Sequence, residues 1–182
     1  MNDAMRAYTK WADIGDAKRS REFQAYVKNI ADARYVTRRV LRIVDEQAKT
    51  HGLEPLLHQA LLQVYGSNEA RGITVSTLAA RLDVAAAFAS RMVRRLEELG
   101  LVTREASESD RRATNVVATT AGAEKLAEID NEVHHSVAFL QHQLTEDERL
   151  SALSIFAFYV GLDPDSAIAE AIRAAADSSA LP

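Results

Sequence analysis

Apolar residues recur at spacings of three and four along most of the chain, the pattern of amphipathic helices. Between 21 and 49, Phe23, Val27, Ile30, Val40, Leu41 and Val44 follow a helical stripe, and His51-Gly52 supplies a stop. Glu54-Pro55 opens a second helix with Leu56, Leu57, Ala60, Leu61 and Val64 inward, closed by Gly66-Ser67-Asn68. Ile73-Thr74-Val75 is a short β-prone tripeptide. Ser76 is placed to cap a short helix over 77–82, with Leu78, Ala79 and Leu82 inward. After a tight connection at 83–85, a clear helix runs over 86–99 and meets Gly100.

The period then changes. Leu101 to Arg104 and Thr114 to Thr119 read as strands around a charged turn, Ser107 to Arg112, so 101–119 is a β-hairpin with a polar tip. Thr119 or Thr120 caps the next helix, where Leu126, Ile129, Val133, Val137, Leu140 and Leu144 step at three and four. Thr145 with Glu148 fits a capping box. The helix after it, to about 162, is nearly all apolar in its last two turns: Leu153, Ile155, Phe156, Phe158, Tyr159 and Val160. Such a helix needs burial on all sides, and a second copy of the chain is the economical partner. Residues 166–176 are Ala-rich and read as one more helix. The first twenty residues show no clear period, and Trp11 is their one large apolar group.

Composition narrows the class. The 182 residues are 47% hydrophobic and 26% charged, ordinary for a globular protein. Seven Gly and three Pro supply too few turn residues for a Greek-key sandwich, so a mostly helical fold is expected. The absence of Cys excludes disulfides, thiolate zinc sites, a Cys nucleophile and a thiol redox switch. The charge-free apolar stretch over 150–162 is shorter than the roughly 20 residues a span needs, and no export signal is visible. The expectation is a cytoplasmic protein with no membrane partner.

Net charge is −4, which at first argues against nucleic acid. Yet residues 71–115 hold eight Arg against six acids, and all five Lys lie elsewhere. Arg is the residue of bidentate phosphate and guanine recognition. The bland alternative is a solvated face with helix ion pairs.

Helix, short turn, helix and a basic-tipped hairpin make the winged helix-turn-helix order. At 100° per residue, Ala89, Met92, Val93 and Leu96 share one face of the second helix. The opposite face holds Ala87, Arg91, Arg94 and Glu98, flanked by Ser90 and Arg95. That is an apolar stripe backing a row of groups fit for a major groove. Arg111 and Arg112 at the hairpin tip are long enough to enter a minor groove, with Asp110 placed to pair with one of them.

These residues resemble the MarR family of bacterial transcriptional regulators. The resemblance lies in Leu78-Ala79-Ala80-Arg81-Leu82-Asp83-Val84, in Ser90 to Arg104, in Asp110-Arg111-Arg112, and in Ala118-Thr119-Thr120-Ala121-Gly122. It implies a mostly α fold: a winged helix-turn-helix with N- and C-terminal dimerisation helices and a small β-hairpin wing. The implied organisation is an N-terminal extension over 1–20, a dimerisation region over 21–52 and 120–176, a DNA-binding domain over 54–119, and a tail over 177–182. It also implies a homodimer on a pseudo-palindromic operator in double-stranded DNA. It implies a repressor released by a small anionic or aromatic effector, with no cofactor and no enzyme activity. One departure stands out. The helix starts Ala85-Ala86-Ala87-Phe88, without a capping or hydrogen-bonding side chain. Phe88, at the edge of the inward face, is either core or a contact to thymine methyls.

For the effector, Arg34, Arg38 and Arg42 share a helix face beside Tyr35 and suit an anion, and His58 could line the same cavity. The alternative is that acids of a neighbouring helix or chain neutralise them. Glu132, His135 and His142 raise a metal-responsive regulator as a further alternative, though one helix cannot converge them on a metal. A helical ligand-binding dimer without sequence-specific DNA binding is the other alternative.

Overall fold

The computed structural model describes residues 16–67, 72–106 and 114–159. Its elements are α1 (Asp16–Thr50), α2 (Pro55–Tyr65), β1 (Ile73–Thr74), α3 (Val75–Leu82), α4 (Ala86–Glu98), β2 (Val102–Ala106), β3 (Thr114–Ala118), α5 (Thr120–Gln143) and α6 (Glu146–Tyr159). Helix α1 starts at Asp16, inside the stretch read as an extension. Trp11, the hairpin tip, the Ala-rich stretch 166–176 and the tail 177–182 lie outside the described residues. Among the described residues, no helix is long and apolar enough to cross a membrane.

The chain divides into two units, 41–139 and 1–40 with 140–182. The unit 41–139 holds one core. Leu57, Ala60, Leu61 and Val64 of α2, Leu78 and Ala79 of α3, and Ala89, Met92, Val93 and Leu96 of α4 pack with Val116, Leu126 and Ile129. The sheet is larger than the expected hairpin. β3 lies between β1 and β2, antiparallel to both, with Ile73 opposite Val116 and Val102 opposite Ala118. The β-prone tripeptide at 73–75 supplies the third strand over Ile73–Thr74, and only its pairing with β3 was not predicted.

Local chemistry sets the boundaries. Gly100 has φ +73°; its N–H donates to Glu97 O and that of Leu101 to Leu96 O, a Schellman stop for α4. Asp83 takes the same role after α3 with φ +52°, an uncommon backbone for a residue with a Cβ. Thr74, not Ser76, caps α3, its Oγ1 accepting from the Thr77 N–H at 3.2 Å. Thr119 Oγ1 accepts from the Gly122 N–H at 3.1 Å at the start of α5. The capping box of α6 forms in both directions between Thr145 and Glu148.

In the other unit, Ala33, Val36, Leu140 and Ile155 are buried, and Ser151 Oγ donates to Asn29 Oδ1 at 3.2 Å. The stripe predicted for α1 is only partly buried. Phe23, Val27 and Leu41 are exposed, as are Leu153, Phe156 and Tyr159 of α6. Period alone cannot say whether a stripe is covered by its own chain.

A Cβ on Gly122 would fall onto the Leu101 carbonyl oxygen. Gly122→Ala is therefore expected to destabilise by about 1–3 kcal/mol, because backbone must move. Asp83→Gly is expected to stabilise by up to about 1 kcal/mol by relieving a left-handed non-glycine residue. Urea midpoints at unchanged slope check both, and a tolerated Gly122→Ala would contradict the close approach of Gly122 to the Leu101 carbonyl.

Candidate nucleic-acid interface

Helix α4 is fixed by its buried face. Ala89, Met92, Val93 and Leu96 are all buried, as the 3.6-residue period requires. The face turned away therefore carries Ala87, Arg91, Arg94, Arg95 and Glu98, all exposed, with Ser90 half-buried. The N-cap, Ala85, offers no side-chain hydrogen bond, in keeping with its methyl side chain.

The arginines differ in their neighbours. Arg95 Nη1 donates to Glu98 Oε2 at 2.9 Å. Arg104 Nε donates to Glu97 Oε2 at 3.2 Å, which ties β2 to α4. Arg81 Nε donates to Gln63 Oε1, joining α3 to α2. Arg91 lies over the Phe88 ring, its Cζ 5.3 Å from the centroid. Phe88 is half-buried and packs against the core. Arg94 has no hydrogen bond, ion pair or ring contact among the described residues. Asp110, Arg111 and Arg112 lie outside the described residues. The strands that carry them, β2 and β3, pair from Val102–Ala118 out to Ala106–Thr114, so the tip leaves from a registered ladder.

A cavity of about 350 Å³ opens in the same unit, lined mainly by apolar side chains of α2 and α5, among them Leu62, Tyr65, Leu126 and Val133. His58 lines it and is buried, and its Nδ1 has no hydrogen-bond partner among the described residues. Asp130 stands at the lining too. The sequence pointed to His58 but not to this burial. The four other effector candidates are not in the lining. Arg34 and Arg38 are exposed, Tyr35 OH accepts from Arg39 Nη1 at 3.0 Å, and Arg42 faces Glu46 at 3.6 Å. Arg39 also donates to Gln143 Oε1 at 2.9 Å. Among the described residues, no group of three or more His, Asp or Glu could hold a metal ion. His135 Nδ1 instead lies 2.7 Å from the Asn131 carbonyl, one turn back.

Burial pushes the His58 imidazole below its ordinary value near 6.5, against the opposing pull of Asp45 and Asp130. Below pH 6.5 the unfolded chain takes up a proton that the folded chain refuses. Stability from this group is thus whole above pH 6.5 and falls as pH drops from there to the folded pKa. Melting temperatures between pH 7.5 and 5.5 should fall less steeply in His58→Leu than in the wild type. Parallel slopes would contradict the burial of a neutral imidazole.

Comparison with known proteins agrees with this geometry. Residues 51–113, from the end of α1 through the hairpin tip, match the model of the MarR family. Over 100 residues the chain is 34% identical to a protein of Thauera aromatica named as a transcriptional regulatory protein for the hcr operon. That match covers 55% of this chain and spans 58% of the relative's length. The fold is similar to MepR of Staphylococcus aureus in complex with DNA (TM-score 0.57, 20% identity, 70% of this chain and 93% of that one). It is also similar to CouR of Rhodococcus jostii RHA1 bound to p-coumaroyl-CoA (TM-score 0.55, 22% identity, 68% and 85%). With the winged helix-turn-helix order and its buried α4 stripe on the same residues, the segment 51–113 is a MarR-family winged helix-turn-helix segment.

Proposed function

We propose that the protein is a DNA-binding transcriptional repressor that acts as a homodimer on a pseudo-palindromic operator and is released by a small effector. The observation that carries this reading is the outward face of α4, where Arg91 and Arg94 stand exposed on a helix locked by its opposite face. Arg91 reads bases, Arg94 and Arg95 hold phosphate, and Ala87 and Ser90 approach the groove floor. Arg111 and Arg112 enter the minor groove, with Asp110 shaping the tip. The exposed apolar residues Phe23, Val27, Leu153, Phe156 and Tyr159 support burial against a second copy. Two α4 helices then sit about one helical turn apart along the duplex.

For the effector, the apolar cavity around His58 takes an uncharged aromatic ring. Its lining holds no cation among the described residues, and Asp130 repels an anion. Independently of this cavity, Arg34, Tyr35, Arg38 and Arg42 of α1 remain the proposed residues for an anionic effector. The likeness to CouR, bound to p-coumaroyl-CoA, makes aromatic acyl thioesters the first class to try.

Duplexes enriched from a random pool, titrated by fluorescence anisotropy at several salt concentrations, test the reading. Each phosphate contact contributes about −0.9 to the slope of log K against log salt. Arg94→Ala removes one contact per subunit, so a dimer should lose about 2 from the slope; Arg111→Ala with Arg112→Ala should lower it further. Unchanged slopes in both variants would sink the interface. p-Coumaroyl-CoA should release the wild type at lower concentration than His58→Leu.

A further inference from the structure

The arginines at the interface are held in chemically different ways. Arg95 and Arg104 use guanidinium N–H groups on carboxylates, and Arg81 on an amide. Arg91 alone among them stands over an aromatic ring, its Cζ 5.3 Å from the Phe88 centroid, and donates no hydrogen bond among the described residues. A cation–π contact offers the guanidinium no hydrogen-bond acceptor, so its N–H donors stay available to a partner. Two parallel N–H donors in one plane are what guanine O6 and N7 accept in the major groove.

The ring is a firm support. Phe88 is half-buried, packs against the core, and sits three residues before Arg91, the spacing that stacks side chains on a helix face. Helical side chains lean toward the N-terminus, which carries Arg91 back over the ring. Ala86 and Ala87 before it are methyl-sized, so no polar side chain there competes for the guanidinium. A free Arg carries much rotamer entropy, and a side chain already laid on an anchored ring loses less of it on binding.

We infer that Phe88 is a positioning residue that presents Arg91 to a guanine in each operator half-site. This rests on the DNA-binding reading above. It assigns Phe88 neither to core packing alone nor to thymine methyls. Arg91 is the guanine reader, and Phe88 sets its pose.

The test uses the full-length protein and a duplex enriched from a random pool. Each guanine is replaced in turn by 7-deazaguanine, which lacks the N7 acceptor. One position per half-site should weaken wild-type binding by about fivefold, and Arg91→Ala should be indifferent to that same replacement. Phe88→Leu keeps apolar bulk but removes the ring. It should bind the intact duplex about fivefold more weakly, with a smaller 7-deazaguanine penalty and an unchanged salt slope. Phe88→Trp should restore both, since indole is the better cation–π surface. Melting curves confirm that each variant folds. Folded Phe88→Leu with a wild-type 7-deazaguanine profile would overturn the inference, as would failure of Phe88→Trp to restore it. An Arg91→Ala variant that lowers the salt slope by about 2 while keeping the profile would make Arg91 a phosphate ligand, and would also overturn it. Failure of the wild type to enrich any duplex is a different result, which removes the DNA-binding reading and this inference with it.

Discussion

The burial of one helix stripe organises the rest of the molecule's chemistry. Ala89, Met92, Val93 and Leu96 of α4 are removed from water together, against α2, α3 and the sheet. Fully burying a large aliphatic side chain is worth about 1.5–3 kcal/mol, so three of the four supply several kcal/mol to holding one rotation of α4. Turning the helix by a third would bring Arg91 or Arg94 into the core at prohibitive cost. The outward Arg row is therefore a consequence of the inward stripe. The Schellman stop at Gly100 then sends the chain into β2, and β3 leads back to α5, whose Gly122 lies too close to the Leu101 carbonyl for a Cβ.

Acids next to the interface sort the arginines. Glu98 and Glu97 engage Arg95 and Arg104, exposed or partly exposed pairs that contribute little stability but fix where two guanidinium groups point. Arg94 has no such partner among the described residues, and Arg91 has an aromatic one. A surface of modest net charge can thus hold side chains with separate tasks. The net charge of −4 for the whole chain conceals this.

Much of this was legible in the sequence, for reasons that can be named. The α4 stripe, the Gly100 stop, the Thr119 cap and the Thr145–Glu148 box all rest on interactions within a few residues, so local pattern carries them. The β-prone character of Ile73 and Thr74 was legible, but their pairing with β3 was not, because two residues have no period to set a register about forty residues away. The cavity was not legible either. Its lining joins α2 to α5, more than fifty residues on, and the burial of His58 depends on both. In α1, Phe23, Val27 and Leu41 scored as core by spacing yet stay exposed in a single chain. Pattern reports that a face needs covering and not what covers it. Phe88 was ambiguous for a related reason: only side-chain geometry shows that its ring meets Arg91 as well as the core.

In the proposed complex, two copies of α4 engage one duplex through their exposed faces. Hydroxyl-radical footprinting of the wild-type protein on an enriched duplex tests it directly. Two symmetric protected tracts centred about one helical turn apart are expected, each flanked by weaker protection where a wing reaches the minor groove. A single tract, or uniform protection without a centre of symmetry, would contradict it.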